Sequence, residues 1–518
     1  MRTLTIYFTS DIHGYFYPTD YATPQEKPMG LFKIENAFAR DGNTLVLDGG
    51  DVLQGSPFTA WASRRRLRPH PCAQAMNLGG YQYVALGNHD FNFGLEALGD
   101  YLRDLNAVCL CCNIRDRAGK LPIRPWAVHT LENGLRVGLV GACTPFVRRW
   151  EKPETVALLE IEEPLPAIRR ALDAIRPRAD VKVLLYHGGF ECDLQSGETI
   201  SASGENQACA ICRATDFDVA LTGHQHVSVA GVDICGTRAL QSGGGAKEFA
   251  RVDVRVFDEG SVRVESRLLP PAATALQEGV AALAPLEKQV QAWLDAPAGR
   301  LNVPLPFGEP LQNALHGCLL ANFINSVQLD ASGADISACS LPNRCKGLAV
   351  DATVRDVVST YVYANTLRVV SMDGRTLRRY VERTAEYFSV VDGDVRVNER
   401  FLRPKVEHYN YDYFSGMDYT IDLRRPMGER VTSMRRNGRE IAADEVLRVC
   451  LNSYRATGTG GYDMLCGLRV EREILTEVSD LILNYIEARG NVTVDDHRYL
   501  TIIPPGDGAR ERGRDDAP

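Results

Sequence analysis

The sequence has no apolar run that approaches the roughly 18 residues of a membrane-spanning helix. It also lacks an excess of basic residues: the formal net charge is -8, which gives no electrostatic footprint for a nucleic-acid polymer. The N-terminus, MRTLTIYFTSDIHG, passes directly into a strand-like run and offers no secretion signal. We therefore expect a cytoplasmic protein, with neither a membrane nor a nucleic-acid polymer as a partner.

The 14 cysteines include no second pair at zinc-finger spacing. Cys109 and Cys111 alternate along a predicted strand, where free cysteine behaves as a small apolar residue. Without a secretion signal we expect the thiols to be reduced, and a zinc or redox site is the alternative.

At 518 residues the chain is too long for one ordinary core, and no internal repeat divides it. Hydrophobic content of 45% and charged content of 24% are typical of a soluble globular protein. Short β-rich runs alternate with helical ones over 1–272, which predicts an α/β domain.

A second domain is expected after a linker. Residues 273–300 read as a helix broken near Pro285, and the Pro-rich stretch NVPLPFGEP follows. We predict a second α/β domain over 301–505 and a disordered tail over 506–518.

Polar residues follow five apolar runs that we predict to be buried strands. The runs and the residues that follow them are Leu4–Phe8 with Asp11 and His13, Leu45–Leu47 with Asp51, Tyr83–Leu86 with Asn88, His89 and Asp90, Val181–Tyr186 with His187, and Val219–Leu221 with His224 and His226. Since α/β sheets place their sites at the carboxyl ends of strands, we expect these side chains to converge. Five of the ten histidines in the chain fall in these positions.

The residue types suit two divalent metals about 3.5–4 Å apart. Such a centre needs one bridging carboxylate, for which Asp51 is the candidate, and mixed oxygen and nitrogen ligands around it. Asn88 would coordinate through an amide oxygen without adding negative charge that repels a phosphate.

His89 and Asp90 are the predicted catalytic pair. One residue beyond Asn88, His89 would point away from the metal and toward the substrate. Asp90 would accept from one ring nitrogen, and the other nitrogen would donate to a phosphate oxygen or a leaving alkoxide.

The ordered set D-x-H, G-D, G-N-H-D, H-G-G and G-H-x-H resembles the calcineurin-like metallophosphoesterase superfamily. The resemblance implies a four-layer α/β/β/α sandwich with a dimetal site. It implies one metal held by Asp11, His13, Asp51 and His226, and a second held by Asp51, Asn88, His187 and His224. It further implies manganese, zinc, cobalt or iron, and in-line attack on phosphorus by a metal-bridging hydroxide.

The second half resembles the C-terminal substrate-binding domain of the 5'-nucleotidase family, in YVYANTLRVVSMDGRTL at 361–377 and CLNSYRATGTGGYDML at 450–465. The resemblance implies that Tyr363 and Tyr454 sandwich a nucleobase and that Asn365 contacts it. Arg344 is a candidate for gripping phosphate. These tyrosines resemble the 2',3'-cyclic-nucleotide 2'-phosphodiesterase/3'-nucleotidase branch most, and Gly460 stands where the 5'-specific members have a ribose-contacting Asp.

Three alternatives to a cyclic- or 3'-nucleotide hydrolase stay open. The first is a 5'-nucleotidase or nucleotide-sugar pyrophosphatase on the same fold. The others are a catalytically idle nucleotide sensor, which the intact ligand set disfavours, and a DNA-repair nuclease, which the acidic charge disfavours.

Overall fold

The protein is described by a computed structural model that covers residues 1–505, apart from 24, 200, 202, 364, 404 and 475. The predicted disordered tail at 506–518 lies outside the described residues. No helix in the described part of the chain is both long and apolar enough to cross a membrane.

The chain divides into two compact units, Met1–Ala292 and a second from Trp293 onward. This division falls within the segment predicted as a linker, while the finer boundaries at 272 and 300 stay a prediction.

Both strands and helices build the first unit. Its strands are β1 Arg2–Thr9, β2 Thr44–Asp48, β3 Tyr83–Ala85, β4 Val108–Leu110, β5 Ile114–Asp116, β6 Ile123–Arg124, β7 Trp126–Thr130, β8 Arg136–Cys143, β9 Leu159–Ile161, β10 Val181–His187, β11 Val219–Thr222, β12 Val229–Ile234, β13 Thr237–Gln241, β14 Phe249–Val256 and β15 Val262–Leu269. Its helices are α1 Leu31–Glu35, α2 Pro57–Ser63, α3 Pro71–Leu78, α4 Gly94–Asp104, α5 Val147–Trp150, α6 Pro153–Ala157, α7 Pro164–Ile175, α8 Ala208–Ala214 and α9 Gln277–Leu294.

Two sheets of the first unit face each other across an apolar core. One has the strand order β15-β14-β1-β2-β3-β4-β6 and the other β12-β13-β11-β10-β8-β7. Alternate residues such as Ile6 and Leu47 of the first sheet and Val183 of the second fill the space between them. The opposite face of the second sheet, including Leu184, packs against α7 through residues such as Leu172. The predicted sandwich with helices outside is confirmed.

The five predicted strands form and run parallel within their sheets. β1 pairs with β2 and β2 with β3, and in the other sheet β10 pairs with β11, all in parallel. Their carboxyl ends therefore meet at one edge of each sheet.

Two predicted helices differ from the structure. The apolar residues of GLFKIENAFARD, residues 30–41, have helical spacing and predict a helix there, but only α1 forms, because the chain turns beyond Glu35 and Phe38 stacks on Tyr7 at a ring distance of 4.8 Å. The expected break near Pro285 is wrong, since α9 continues through it. Pro285 has no N–H to donate to the carbonyl of Ala281. Both residues are exposed, so water can donate a hydrogen bond to that carbonyl instead.

The expectation that all thiols are free is also wrong at one place, where Cys192 and Cys209 form a disulfide. Cys109 and Cys111 are buried free thiols, as predicted. This disulfide joins the loop that follows β10 to the first turn of α8.

The second unit is also mixed α/β. Its strands are β16 Pro297–Leu301, β17 Ile336–Ser340, β18 Asp351–Thr353, β19 Leu367–Asp373, β20 Phe388–Val391, β21 Asp394–Val397, β22 Asp412–Ser415, β23 Asp418–Asp422, β24 Val431–Arg436, β25 Arg439–Glu440, β26 Val446–Asn452, β27 Val470–Ile474, β28 Asn491–Val492 and β29 Leu500–Ile503. Its helices are α10 Pro310–His316, α11 Leu319–Ser332, α12 Val354–Thr360, α13 Gly374–Ala385, α14 Ser453–Ala456 and α15 Val478–Arg489. We call the two segments predicted to bind a nucleobase, 361–377 and 450–465, the recognition segments. The sheet that carries them has the order β22-β17-β26-β19-β27.

Candidate active site

The seven predicted metal ligands lie at the carboxyl ends of β1, β2, β3, β10 and β11, and we call these seven residues the metal edge. Asp11 and His13 follow β1, Asp51 follows β2, Asn88 begins a 3-10 turn after β3, His187 is the last residue of β10, and His224 and His226 follow β11.

The backbone of the metal edge is held in an unfavourable conformation. Five of its residues have positive φ angles between 53° and 76°, namely Asp11, His13, Asp51, His224 and His226. A non-glycine residue there costs about 1–3 kcal/mol and persists only where the surrounding structure demands it. The turns after three different strands therefore aim polar side chains at one place at the expense of stability.

Asp11, His13 and His226 form one group of potential ligands. The Nε2 atoms of the two histidines are 3.0 Å apart, and the Asp11 Oδ1 atom is 3.2 Å from Nε2 of His226. Two imidazole lone pairs at this separation repel each other unless a proton or a cation lies between them. This group is suited to a cation.

Asp11, Asp51 and His187 form a second group, so Asp11 is common to both. Nε2 of His187 is 3.1 Å from the Asp51 Oδ2 atom and 3.9 Å from Asp11 Oδ1. Asp51 Oδ2 also lies 4.0 Å from Nε2 of His13, in the first group. Asp51 thus has a histidine of each group beside one oxygen, as a bridging carboxylate requires.

Three buried polar atoms of the metal edge have no hydrogen-bond partner outside it: Asn88 Oδ1 has none, and Asp51 Oδ2 and His187 Nε2 have only each other at 3.1 Å. Buried polar atoms are nearly always satisfied, and each exception calls for an explanation. These are the atoms that the sequence predicts to hold metal, and oxygen and imidazole nitrogen are ligands that divalent transition metals accept. The residues present therefore fit a metal centre.

The outer nitrogens of two histidines fix their tautomers. Nδ1 of His13 is 2.6 Å from the Gln54 carbonyl oxygen, and Nδ1 of His187 is 2.7 Å from that of Gly49. Because a carbonyl only accepts, each Nδ1 carries a proton, and Nε2 is the ring atom that faces the site.

Burial and neighbouring charges separate the pKa values of these two histidines. Burial, together with His226, lowers the pKa of His13 to about 4. Burial also opposes a charge on His187, but Asp51 and Asp11 outweigh it and raise the pKa of His187 to about 10. The negative charges of Asp11 and Asp51 thus favour a cation at the metal edge, and the additional proton on His187 provides that positive charge.

His224 is not part of either group in the described residues. Its backbone N–H donates to both Asp11 oxygens at 3.0 Å, while its Nε2 lies 2.8 Å from Glu205 Oε1. Its ring also stacks on Trp150, with centroids 5.4 Å apart. Glu205 engages Nε2, and the assignment of His224 as a metal ligand stays a prediction.

The predicted pairing of Asp90 with His89 is wrong. Both oxygens of Asp90 accept backbone N–H groups at 2.8–3.0 Å, from Gly87, Asp51, Val52 and Leu53. Asp90 therefore ties the turn after β3 to the turn that carries Asp51, and it acts on the metal edge rather than on the imidazole. Nδ1 of His89 instead contacts Asn92 Oδ1 at 2.7 Å.

The segments predicted to recognise a base meet at one edge of the second unit. Leu367 at the start of β19 pairs with Asn452 at the end of β26. Next to this pair the Ser453 N–H donates to the Thr366 carbonyl, and the Thr366 N–H donates to the Ser453 hydroxyl. Tyr363 and Tyr454, which flank this contact, are both half-buried. The Asn365 amide lies 3.4 Å from the Tyr361 hydroxyl.

Two further positions bear on substrate recognition. Arg344 is exposed and makes no ion pair among the described residues, so its assignment as a phosphate contact stays a prediction. At Gly460, with φ of 83°, an added Cβ would lie 2.3 Å from Asn410 Oδ1 and 2.6 Å from an Arg455 nitrogen. The fold thus requires glycine at this position.

Comparison with known proteins agrees with both units. A model of calcineurin-like phosphoesterases matches residues 4–228, and a model of the 5'-nucleotidase C-terminal domain matches residues 297–467. The solved "Putative 5'-Nucleotidase from Staphylococcus aureus in complex with alpha-ketoglutarate" is 31% identical, with a TM-score of 0.88 over 97% of this chain and 100% of that one. The chain belongs to the 5'-nucleotidase family of calcineurin-like phosphoesterases. Members of the calcineurin-like group use divalent metals, which accords with the orphaned atoms of the metal edge.

Curated relatives of this 5'-nucleotidase family member are more distant. A 2',3'-cyclic-nucleotide 2'-phosphodiesterase/3'-nucleotidase of Yersinia enterocolitica is 24% identical over 88% of this chain and 82% of the relative. The trifunctional nucleotide phosphoesterase protein YfkN of Bacillus subtilis is 22% identical over 97% of this chain, which spans only 39% of that protein.

Proposed function

We propose that the protein is a metal-dependent phosphoesterase that hydrolyses 2',3'-cyclic nucleotides and 3'-nucleotides. The observation that carries the proposal is the burial of Asp51 Oδ2, Asn88 Oδ1 and His187 Nε2, of which Asn88 Oδ1 has no hydrogen-bond partner and the other two have only each other at 3.1 Å. Burying these polar atoms is costly unless a ligand completes them.

Two divalent ions are proposed, one near Asp11, His13, Asp51 and His226 and one near Asp51, Asn88, His187 and His224. When bound, they would neutralise charge on the transferring phosphoryl group and lower the pKa of water at the site. Manganese, zinc, cobalt and iron all fit this mixed oxygen and nitrogen set.

His89 is the proposed general acid. Its ring lies 5.4 Å from that of His13, at the metal edge, and its Nδ1 proton is held by Asn92. When the ring is protonated on both nitrogens, Nε2 is thereby left to donate to a phosphate oxygen or to the leaving alkoxide. Asp90 supports this step indirectly, because it fixes the turns that carry Asp51 and His89.

The substrate class is proposed from the second unit. Tyr363 and Tyr454 would stack on a nucleobase, a contact worth roughly 1–3 kcal/mol per base, and Asn365 would bond to its edge. The requirement for glycine at Gly460 supports the cyclic and 3' substrates, because the ribose-contacting Asp of the 5'-specific members does not fit there.

A 5'-nucleotidase or nucleotide-sugar pyrophosphatase is the second candidate, since the Staphylococcus aureus relative is named a 5'-nucleotidase. Turnover of 2',3'-cyclic AMP, 3'-AMP, 5'-AMP and UDP-glucose by one preparation separates the two. We expect the first two to be hydrolysed with the highest kcat/KM, and a preference for 5'-AMP would contradict the proposal. Loss of all phosphate release in EDTA and its return with Mn²⁺ would exclude a sensor.

Small nucleotides are therefore the proposed partners. The cytoplasm is the compartment proposed from the sequence, whereas the bridge between Cys192 and Cys209 is typical of an oxidising compartment.

A further inference from the structure

Asn92 and Glu151 continue the hydrogen bonding of His89 away from the metal edge. Asn92 Oδ1 lies 2.7 Å from Nδ1 of His89, and the Asn92 amide nitrogen donates to the Glu151 carboxylate. Because the amide nitrogen can only donate, its bond to Glu151 leaves the amide oxygen facing the imidazole. Nδ1 of His89 must then be the protonated nitrogen.

Glu151 is the last residue in this series of hydrogen bonds. It is unusually buried for a glutamate, with only 6% of its surface exposed. Burial raises the pKa of its carboxyl to about 7, against smaller lowering effects from Asn92 and His89. A buried acid is costly to keep, and the Glu151 carboxylate accepts a hydrogen bond from the Asn92 amide.

The backbone around Glu151 is itself tied to the metal edge. Glu151 follows α5, and its neighbour Trp150 stacks on His224. The segment Trp150–Glu151 therefore contacts one predicted metal ligand directly and the proposed general acid through Asn92.

We propose that Glu151 is a positioning residue for His89: through Asn92 it fixes the tautomer and the rotation of the imidazole so that Nε2 faces the substrate. This rests on the proposed function, in which His89 donates a proton from Nε2. Asp90, the neighbour first expected to hold His89, is occupied by backbone amides and cannot take this role.

Three variants test the proposal. Glu151→Leu removes the acceptor for Asn92, and Glu151→Gln keeps an acceptor oxygen while removing the charge. Glu35→Gln is the matched control, because Glu35 is a buried carboxyl in the same unit without a hydrogen-bond partner among the described residues.

We expect Glu151→Leu to lower kcat for 2',3'-cyclic AMP about 10- to 100-fold, the usual range for losing an outer partner of a functional histidine, with KM unchanged within about twofold. Glu151→Gln should retain most of kcat, and Glu35→Gln should match the wild type. In a His89→Gln background, Glu151→Leu should have no further effect, because the interaction it supports is already gone. Wild-type kcat in Glu151→Leu, or additive losses in the double variant, would overturn the proposal.

A spectroscopic readout is independent of turnover. In metal-free protein with ¹⁵N-labelled histidine, at a pH at which the His89 ring is neutral, its signals, assigned with His89→Gln, should report a single Nδ1–H tautomer in the wild type and a mixture in Glu151→Leu. Identical signals in both proteins would contradict the inference. If the wild type hydrolyses none of the tested substrates, the proposed function fails instead, and the tautomer result still stands.

Discussion

The metal edge of the first unit and the recognition segments of the second compensate buried charge in different ways. At the metal edge the buried Asp51 and His187 side chains lie 3.1 Å apart, and Asn88 Oδ1 has no hydrogen-bond partner. In the second unit the buried guanidinium of Arg455 lies 2.6 Å from Asp412 and donates to the carbonyls of Thr459 and Tyr409. Atoms of the metal edge are thus left for a ligand to complete, whereas the charge of Arg455 is compensated within the second unit itself.

The two regions also differ in their backbone. Five residues of the metal edge have positive φ angles, whereas the loop after Tyr454 uses glycine at Gly458, Gly460 and Gly461 for the same conformation. Glycine adopts it at little cost. The metal edge keeps strain because the side chains at those positions are needed as ligands.

The largest effect on stability that we expect from this comparison follows removal of Arg455. Arg455→Ala leaves Asp412 buried and uncompensated, so it should lower the free energy of unfolding by about 3–5 kcal/mol. Urea denaturation measures the change. Arg439→Ala is the control, because Arg439 pairs with Glu445 at 2.7 Å but is 66% exposed, so its loss should cost at most about 1 kcal/mol. If both variants lower the free energy of unfolding by the same amount, the buried ion pair of Arg455 contributes no more to stability than the exposed pair of Arg439.

A smaller effect is expected at Tyr454. Tyr454→Ala should raise KM for 2',3'-cyclic AMP roughly 5- to 150-fold through loss of base stacking, while hydrolysis of bis(p-nitrophenyl) phosphate, which has no nucleobase, stays unchanged. Tyr454→Phe keeps the ring and should behave as the wild type. A parallel loss on both substrates would assign Tyr454 to the fold rather than to recognition.

The smallest effect concerns Glu205, which contacts His224 at 2.8 Å. Glu205→Gln should weaken the affinity of the more weakly bound metal about 10- to 100-fold, because outer carboxylates orient ligating histidines. Competitive titration with a chromogenic chelator measures it. Glu198→Gln, an exposed change in the same loop, serves as the control, and unchanged affinity in Glu205→Gln would show that His224 does not depend on its carboxylate.

Much of the metal edge is predictable because its information is local. A ligand placed directly after a buried parallel strand is positioned by that strand, so the expectations for Asp11, Asp51 and His187 needed only the strand assignment. The two facing sheets follow from the same apolar runs.

The partners of the ligands are not predictable in this way. Glu205, Trp150 and Glu151 come from loops and short helices whose path is set by tertiary packing, and none of them stands at a strand end. Of these partners only Asn92 could have been found from the sequence, since it lies within GNHDFN, three residues after His89. Asp90 was misassigned because adjacency in sequence was taken for contact between side chains, whereas the turn directs its oxygens to backbone amides.

The central claim is that the metal edge binds two ions that hydrolysis requires. Measuring turnover as a function of bound metal tests it most directly. The protein is stripped with EDTA, Mn²⁺ is added back in steps, and bound metal by mass spectrometry is plotted against hydrolysis of 2',3'-cyclic AMP for the wild type and for Asp51→Asn. The account predicts no turnover without metal and a plateau at about two ions per wild-type chain, with both lost in the variant. Full turnover of metal-free wild type, or an Asp51→Asn protein that binds metal and turns over normally, would contradict it.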